Sequence, residues 1–158
     1  MPEYWLHLKV AGNARLEALD QFLRDIWLEC CGHLSAFSYK GTELAMERKL
    51  SDILSPGIEL LHEYDFGTPT ELLVKVLGEH KGPMEKNIPV EILSRNEAPE
   101  ILCDECGKAP AVVICAECQW EGGGWLCKSC AESHECDEEM FLPVVNSPRT
   151  GVCGYTGL

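Results

Sequence analysis

Three Cys-x-x-Cys pairs dominate this chain: Cys103-Asp-Glu-Cys106, Cys115-Ala-Glu-Cys118 and Cys127-Lys-Ser-Cys130. Each begins 12 residues after the one before, and His134 and Cys136 follow the last. A Cys-x-x-Cys turn brings two sulfurs to one ion, and its backbone amides can donate to the thiolates. Zinc prefers tetrahedral sets of thiolate and imidazole, so eight such ligands fill two closed sites. Cys103, Cys106, Cys115, Cys118, Cys127, Cys130, His134 and Cys136 are therefore the predicted metal ligands, and two Zn2+ ions the predicted cofactor. Iron–sulfur clusters use differently spaced cysteines. A disulfide framework does not suit a chain expected to stay in the cytosol. Catalytic zinc keeps one position open for water or substrate, whereas these sets are complete, so the ions are expected to be structural.

The segment 99–142 is too short to bury a self-sufficient core and needs a staple. Bound zinc supplies ~10 kcal/mol or more of folding free energy. Two pairings fit the spacing. In a cross-brace, Cys103, Cys106, Cys127 and Cys130 hold one ion, and Cys115, Cys118, His134 and Cys136 the other. In a sequential arrangement the first four and the last four ligands pair up. A hairpin of Ala109–Ile114 with Gly122–Leu126 would bring the first and third turns to one end, which favours the cross-brace. The spacing resembles that of B-box zinc modules, in which such interleaving occurs. His134 and Cys136 stand closer together than the last two ligands of a typical B-box, which makes Cys153 an alternative to Cys136. Such a module is either a rigid platform for partner recognition or simply a staple.

Residues 1–102 hold only Cys30 and Cys31 of the ten cysteines. The polar stretch Asn96-Glu97-Ala98-Pro99-Glu100 reads as a linker, giving an N-terminal domain at 1–98 and a cysteine module with an extended tail at 99–158. Tyr4, Leu6, Leu8 and Val10 alternate with Trp5, His7 and Lys9, which predicts a strand. From Ala14 to Cys31, apolar residues recur at three- and four-residue steps, an amphipathic helix ended by Gly32. Further strands are expected at Leu34–Tyr39, Ile58–Phe66, Glu71–Leu77 and Val90–Leu93, with a short helix over Leu50–Leu54. One long helix among strands implies an α+β fold, with the helix covering one face of a small sheet.

The net charge of −13 is spread along the chain: residues 1–100 carry 10 Lys and Arg against 17 acids, and residues 101–158 carry 3 against 9. Such a surface repels phosphate backbones, so nucleic acid is not an expected partner and a protein is. No stretch approaches the roughly 18 apolar residues of a membrane span. No basic region precedes an apolar run at the N-terminus, so a cytoplasmic location is expected.

Tyr4–Leu8, Phe22–Ser35 and Glu63–Gly67 together resemble the plasmid pRiA4b ORF-three-like domain family over roughly residues 4–96. The tail Pro143–Tyr155 resembles an ending of prokaryotic members that carry such a zinc module. The resemblance implies an α+β domain, and some members bear a transposon-passenger or resolvase-like label. It supplies no catalytic residues, and neither a serine- nor a tyrosine-recombinase pattern is present.

Outside the zinc module, Cys30-Cys31-Gly32-His33 could hold a nucleophile. A thiol at a helix C-terminus meets the negative end of the dipole and is less reactive, so Cys30 is expected to be a buried structural thiol and His33 a helix cap. His7 with Trp5 could line a cleft, or simply pack on a strand face. Asp65 could act as a base or cation ligand, but a hairpin corner fits it better. Arg149 is expected to pair with carboxylates. The function these features favour is a zinc-stabilised, non-enzymatic binding or adaptor protein. Two alternatives remain open: an enzyme with a cleft near His7, His33 and Asp65, and a mobile-element nucleic-acid binder.

Overall fold

The computed structural model describes residues 3–84 and 88–157. The chain is α+β, and it divides into two compact units. Trp5–Asp25 and Cys31–Arg95 form one; Ile26–Cys30 belongs with the chain from Asn96 onward in the other.

In the first unit, β1 (Leu6–Val10) is followed by α1 (Leu16–Leu23); the chain continues as a wider π turn over Arg24–Leu28, of which residues 26–28 belong to the second unit. The helix therefore spans residues 16–28 rather than the expected 14–31. Its start is delayed because Arg15 is extended and offers no side-chain cap. The amides of Leu16 and Glu17 donate instead to the carbonyls of Arg48 and Met46, so borrowed backbone acceptors do the work of a cap. Leu16, Leu19 and Leu23, spaced three and four apart, are all buried, as are Phe37, Leu50, Leu60 and Tyr64.

Strands β2 (Ser35–Tyr39), β3 (Thr42–Leu44), β4 (Glu59–Tyr64) and β5 (Thr70–Lys75) form an antiparallel sheet in the order β3-β2-β4-β5. Strand β3 was not expected; Lys40 adopts a left-handed conformation in the tight turn that creates it. β6 (Val90–Arg95) pairs with β1 alone, so the single expected sheet is two sheets among the described residues.

The second unit centres on β7 (Val113–Cys115), flanked by β8 (Trp125–Leu126) and β9 (Phe141–Pro143). The β7–β8 hairpin has the anticipated partners in a shorter form, with Val113 opposite Leu126. β9 had no sequence signal, being three residues long. A short α-helix, α2 (Lys128–Ala131), follows β8, and a 3-10 turn over Glu138–Met140 precedes β9.

Two tail residues fasten the end of the π turn: Ser147 Oγ donates to the Trp27 carbonyl at 2.6 Å, and Trp27 Nε1 donates to the Asn146 carbonyl at 3.0 Å. Asn96 is buried, and its amide donates to Asn146 Oδ1 at 2.8 Å. Among the described residues, no helix is long and apolar enough to cross a membrane.

Candidate metal centres

The eight ligands predicted from spacing fall into two groups, and the pairing is interleaved. Cys103, Cys106, Cys127 and Cys130 bring their sulfurs within 4.8 Å of one another, and Cys115, Cys118, His134 and Cys136 do the same with three sulfurs and an imidazole nitrogen. Cys136, rather than Cys153, stands in the second group.

The interleaving has a local cause. Strands β7 and β8 run antiparallel, so Cys115 at the end of β7 and Cys127 just after β8 lie at opposite ends of the hairpin. The first turn is tied to the Cys127 end. Asp104 N–H donates to the Trp125 carbonyl at 2.8 Å, and Asp104 Oδ2 accepts from Trp125 N–H at 2.9 Å. Gly124 serves the other end: its carbonyl accepts from Cys115 N–H at 2.8 Å. A Cβ at Gly124 would stand 3.1 Å from the Cys115 carbonyl oxygen and 3.2 Å from Cys118 Cβ, at a φ of +99° that side chains rarely adopt.

The spacing of donor atoms suits a tetrahedral ion. Four sulfurs each about 2.3 Å from one zinc stand about 3.8 Å apart. Cys106 Sγ and Cys127 Sγ are 4.0 Å apart, Cys118 Sγ and Cys136 Sγ 3.7 Å, and Cys118 Sγ and His134 Nε2 3.4 Å. Cys103, Cys115 and Cys127 are buried together with Leu126, so thiols occupy the place of an apolar core.

Protonation makes the same point. The Ser129 hydroxyl and the Cys130 amide pull the Cys127 thiol down to about 6. Burial opposes ionisation of Cys115, but the amides of Cys118 and Glu117 prevail and bring it to about 7. Their neighbours move the other way. Cys130 is pushed up to about 12 by Cys127 and Cys103, and Cys136 to about 12 by Cys118 and by burial. Four clustered thiolates repel one another, so only a cation among them lets all of them ionise. The two groups could thus hold metal ions, with every tetrahedral position supplied by the protein.

One surrounding group was missed in the sequence. Glu105, inside the first Cys-x-x-Cys turn, places Oε1 3.7 Å from His134 Nδ1. His134 turns Nε2 toward Cys118, so the carboxylate addresses the nitrogen opposite the ligand position. Partners of this kind orient metal-bound histidines. No sequence signal identifies it, because the acid and the imidazole it serves belong to different groups.

Of the remaining candidates, Cys31, His33 and Asp65 come together, and His7 is engaged with Ser94. His7 Nδ1 lies 3.1 Å from Ser94 Oγ, across the β1–β6 pair. His33 Nε2 lies 3.0 Å from Cys31 Sγ and 3.5 Å from Asp65 Oδ2. Cysteine and aspartate thus address the same nitrogen. A nucleophile–base–orienter relay has them on opposite nitrogens, which is not the arrangement of these two contacts. Asp65 is a hairpin corner: it has a φ of 65°, and Oδ1 accepts from the amides of Gly67 and Thr68.

Cys30 does not lie on the helix, which ends at Leu28, and it is half-buried rather than buried. Arg149 is fully buried, and Nη2 donates to Cys30 Sγ at 3.6 Å. A buried pair that the sequence did not flag sits in the first unit: His62 Nε2 and Asp20 Oδ1 are 2.7 Å apart.

Comparison with known proteins finds no matching family model, no similar curated protein and no similar solved structure.

Proposed function

We propose that this chain is a zinc-stabilised, non-enzymatic binding or adaptor protein, whose cysteine module holds two structural Zn2+ ions. The observation that carries this reading is the closure of both ligand groups. All four positions of each come from protein side chains, which leaves no place for a substrate or an activated water. The donor chemistry fits zinc, with four sulfurs in one group and three sulfurs and an imidazole in the other. When bound, the ions supply folding energy and rigidity rather than reactivity.

The binding role has separate support. Trp120 is 76% exposed on the turn that follows Cys118, and Val112, Leu102 and Met140 are also exposed on this unit. Apolar side chains displayed on a stapled scaffold suit recognition of a protein partner. The net charge of −13 argues against nucleic acid as that partner. The likeness to pRiA4b ORF-three-like domains belongs to this proposal as the origin of the first unit, without a recombinase activity.

Metal analysis of Cys103→Ser and Cys115→Ser tests the reading. Each variant should lose one zinc relative to the unaltered chain. Purified chain that is metal-free yet fully folded through residues 103–143 would overturn it.

A further inference from the structure

We propose a third metal site, built on Cys30 and Cys153, that takes a thiophilic cation such as Zn2+ and closes the tail onto the end of the helical segment. It lies outside the eight ligands of the cysteine module and does not depend on the role assigned to them.

The two sulfurs come within 4.8 Å of one another although 123 positions separate them in sequence. Two features hold them there. The first is a run of tight turns around Cys153: Val152 N–H donates to the Arg149 carbonyl, and Tyr155 N–H donates to the Val152 carbonyl. Within this run Cys153 itself adopts a φ of 50°, a left-handed conformation that non-glycine residues seldom take. Strain of this kind persists where the surroundings over-determine it. The second is Arg149, whose guanidinium is fully buried and donates to Cys30 Sγ at 3.6 Å. A cationic donor aimed at sulfur stabilises the thiolate, the form that binds metal. An N–H···S bond to a ligand sulfur is the kind of outer contact that metal sites use to fix their ligands.

Two thiolates alone bind an ion weakly. Cys30 opens the sequence Cys30-Cys31-Gly32-His33, so a further thiol and an imidazole follow within three residues along the chain. Binding exchanges thiol protons for the cation and involves no redox change. The site also differs from the other two in accessibility. Cys153 is exposed, whereas the cysteines of the other two groups are buried (Cys103, Cys115, Cys127) or, like Cys30, half-buried. Its ion should therefore exchange fastest.

The test is zinc content of the full chain, purified under reducing conditions, followed during titration with a chromophoric chelator. The expected result is three equivalents of zinc, one released ahead of the other two. Cys30→Ser and Cys153→Ser should each abolish the early phase and leave two equivalents. Should either serine variant fold poorly, cobalt substitution of the unaltered chain gives the same information. Stepwise addition of Co2+ should then produce a third rise in sulfur-to-metal absorbance, removed first by the chelator. Two equivalents in the unaltered chain, three in both serine variants, or a Cys30–Cys153 disulfide in freshly purified protein would each overturn the site. Failure here leaves the two-ion reading intact, because that reading is judged on Cys103→Ser and Cys115→Ser.

Discussion

The two units solve the same problem with different chemistry. In the first, leucines at helical spacing on α1 are buried, as are Phe37, Leu50, Leu60 and Tyr64, an ordinary apolar core. In the second, one buried cluster is Cys103, Cys115, Leu126 and Cys127, three thiols and one leucine, while Trp27, Leu28, Ile114 and Tyr155 are also buried in this unit. Its strands have three, two and three residues, too short to be stable by pairing alone. Apolar burial scales with surface removed from water, and a module this small has little to remove. On the proposed reading, metal–ligand bonds supply what area cannot provide. Clustered thiols at ligand spacing are placed to be ionised together once a cation sits among them.

The strongest way to break this comparison is to take the metal away. Chelation should unfold the second unit at a cost of ~10 kcal/mol or more. Hydrogen exchange should show amide protection lost in β7, β8 and β9 while β2, β4 and β5 keep theirs. Uniform loss in both units would erase the distinction.

A cavity in the apolar core should do the reverse. Leu19→Ala, at a site 1% exposed, should destabilise the first unit by ~2–5 kcal/mol in chemical denaturation. Zinc content should not change.

The buried Asp20–His62 pair gives the first unit its own sensitivity to charge. Burial raises the Asp20 pKa, but hydrogen bonds from His62 and Ser35 outweigh it and hold the group below its ordinary 3.8. A depressed carboxylate contributes stability that is full above the unfolded value and is lost as pH falls through the folded one. Unfolding midpoints should therefore drop below pH ~4, and Asp20→Ala should flatten that drop. The same substitution should cost about 1–3 kcal/mol at neutral pH, because it strips His62 Nε2 of its partner. Among the described residues His62 Nδ1 has no hydrogen bond either. An unchanged acid limb in Asp20→Ala would assign the transition to other carboxylates.

The smallest expected effect sharpens the picture of the second unit. Glu105→Ala should weaken retention of the His134-bearing ion by about tenfold, the low end for such partners. Glu105→Gln, which keeps an acceptor, should recover part of the loss in the same chelator competition. Equal affinity in all three proteins would mean that the 3.7 Å contact orients nothing.

How much of this was legible differs by region. The Cys-x-x-Cys turns could be read directly, since the two ligands of each lie on one turn. The leucine face of α1 was legible for the same reason, but its ends were not. The start depends on the carbonyls of Met46 and Arg48, and the end on a π turn that periodicity does not reveal. Asp65 read correctly as a corner because its bonds go to residues two and three positions ahead. Cys30 was misread as part of the helical stripe, because its burial was judged by extending a helix that in fact stops at Leu28.

The sequence by itself determined the class of chemistry: which residues carry soft donor atoms, how many there are, and that an α+β chain this acidic is a poor match for phosphate. Those properties reside in residue types and in spacings of a few positions, where chain geometry leaves little freedom. The tertiary structure alone decided which sulfurs share a group, that Glu105 faces His134, and that Cys153 meets Cys30. Each of these joins residues far apart in sequence, and only the packing of strands and tail settles which distant donors converge.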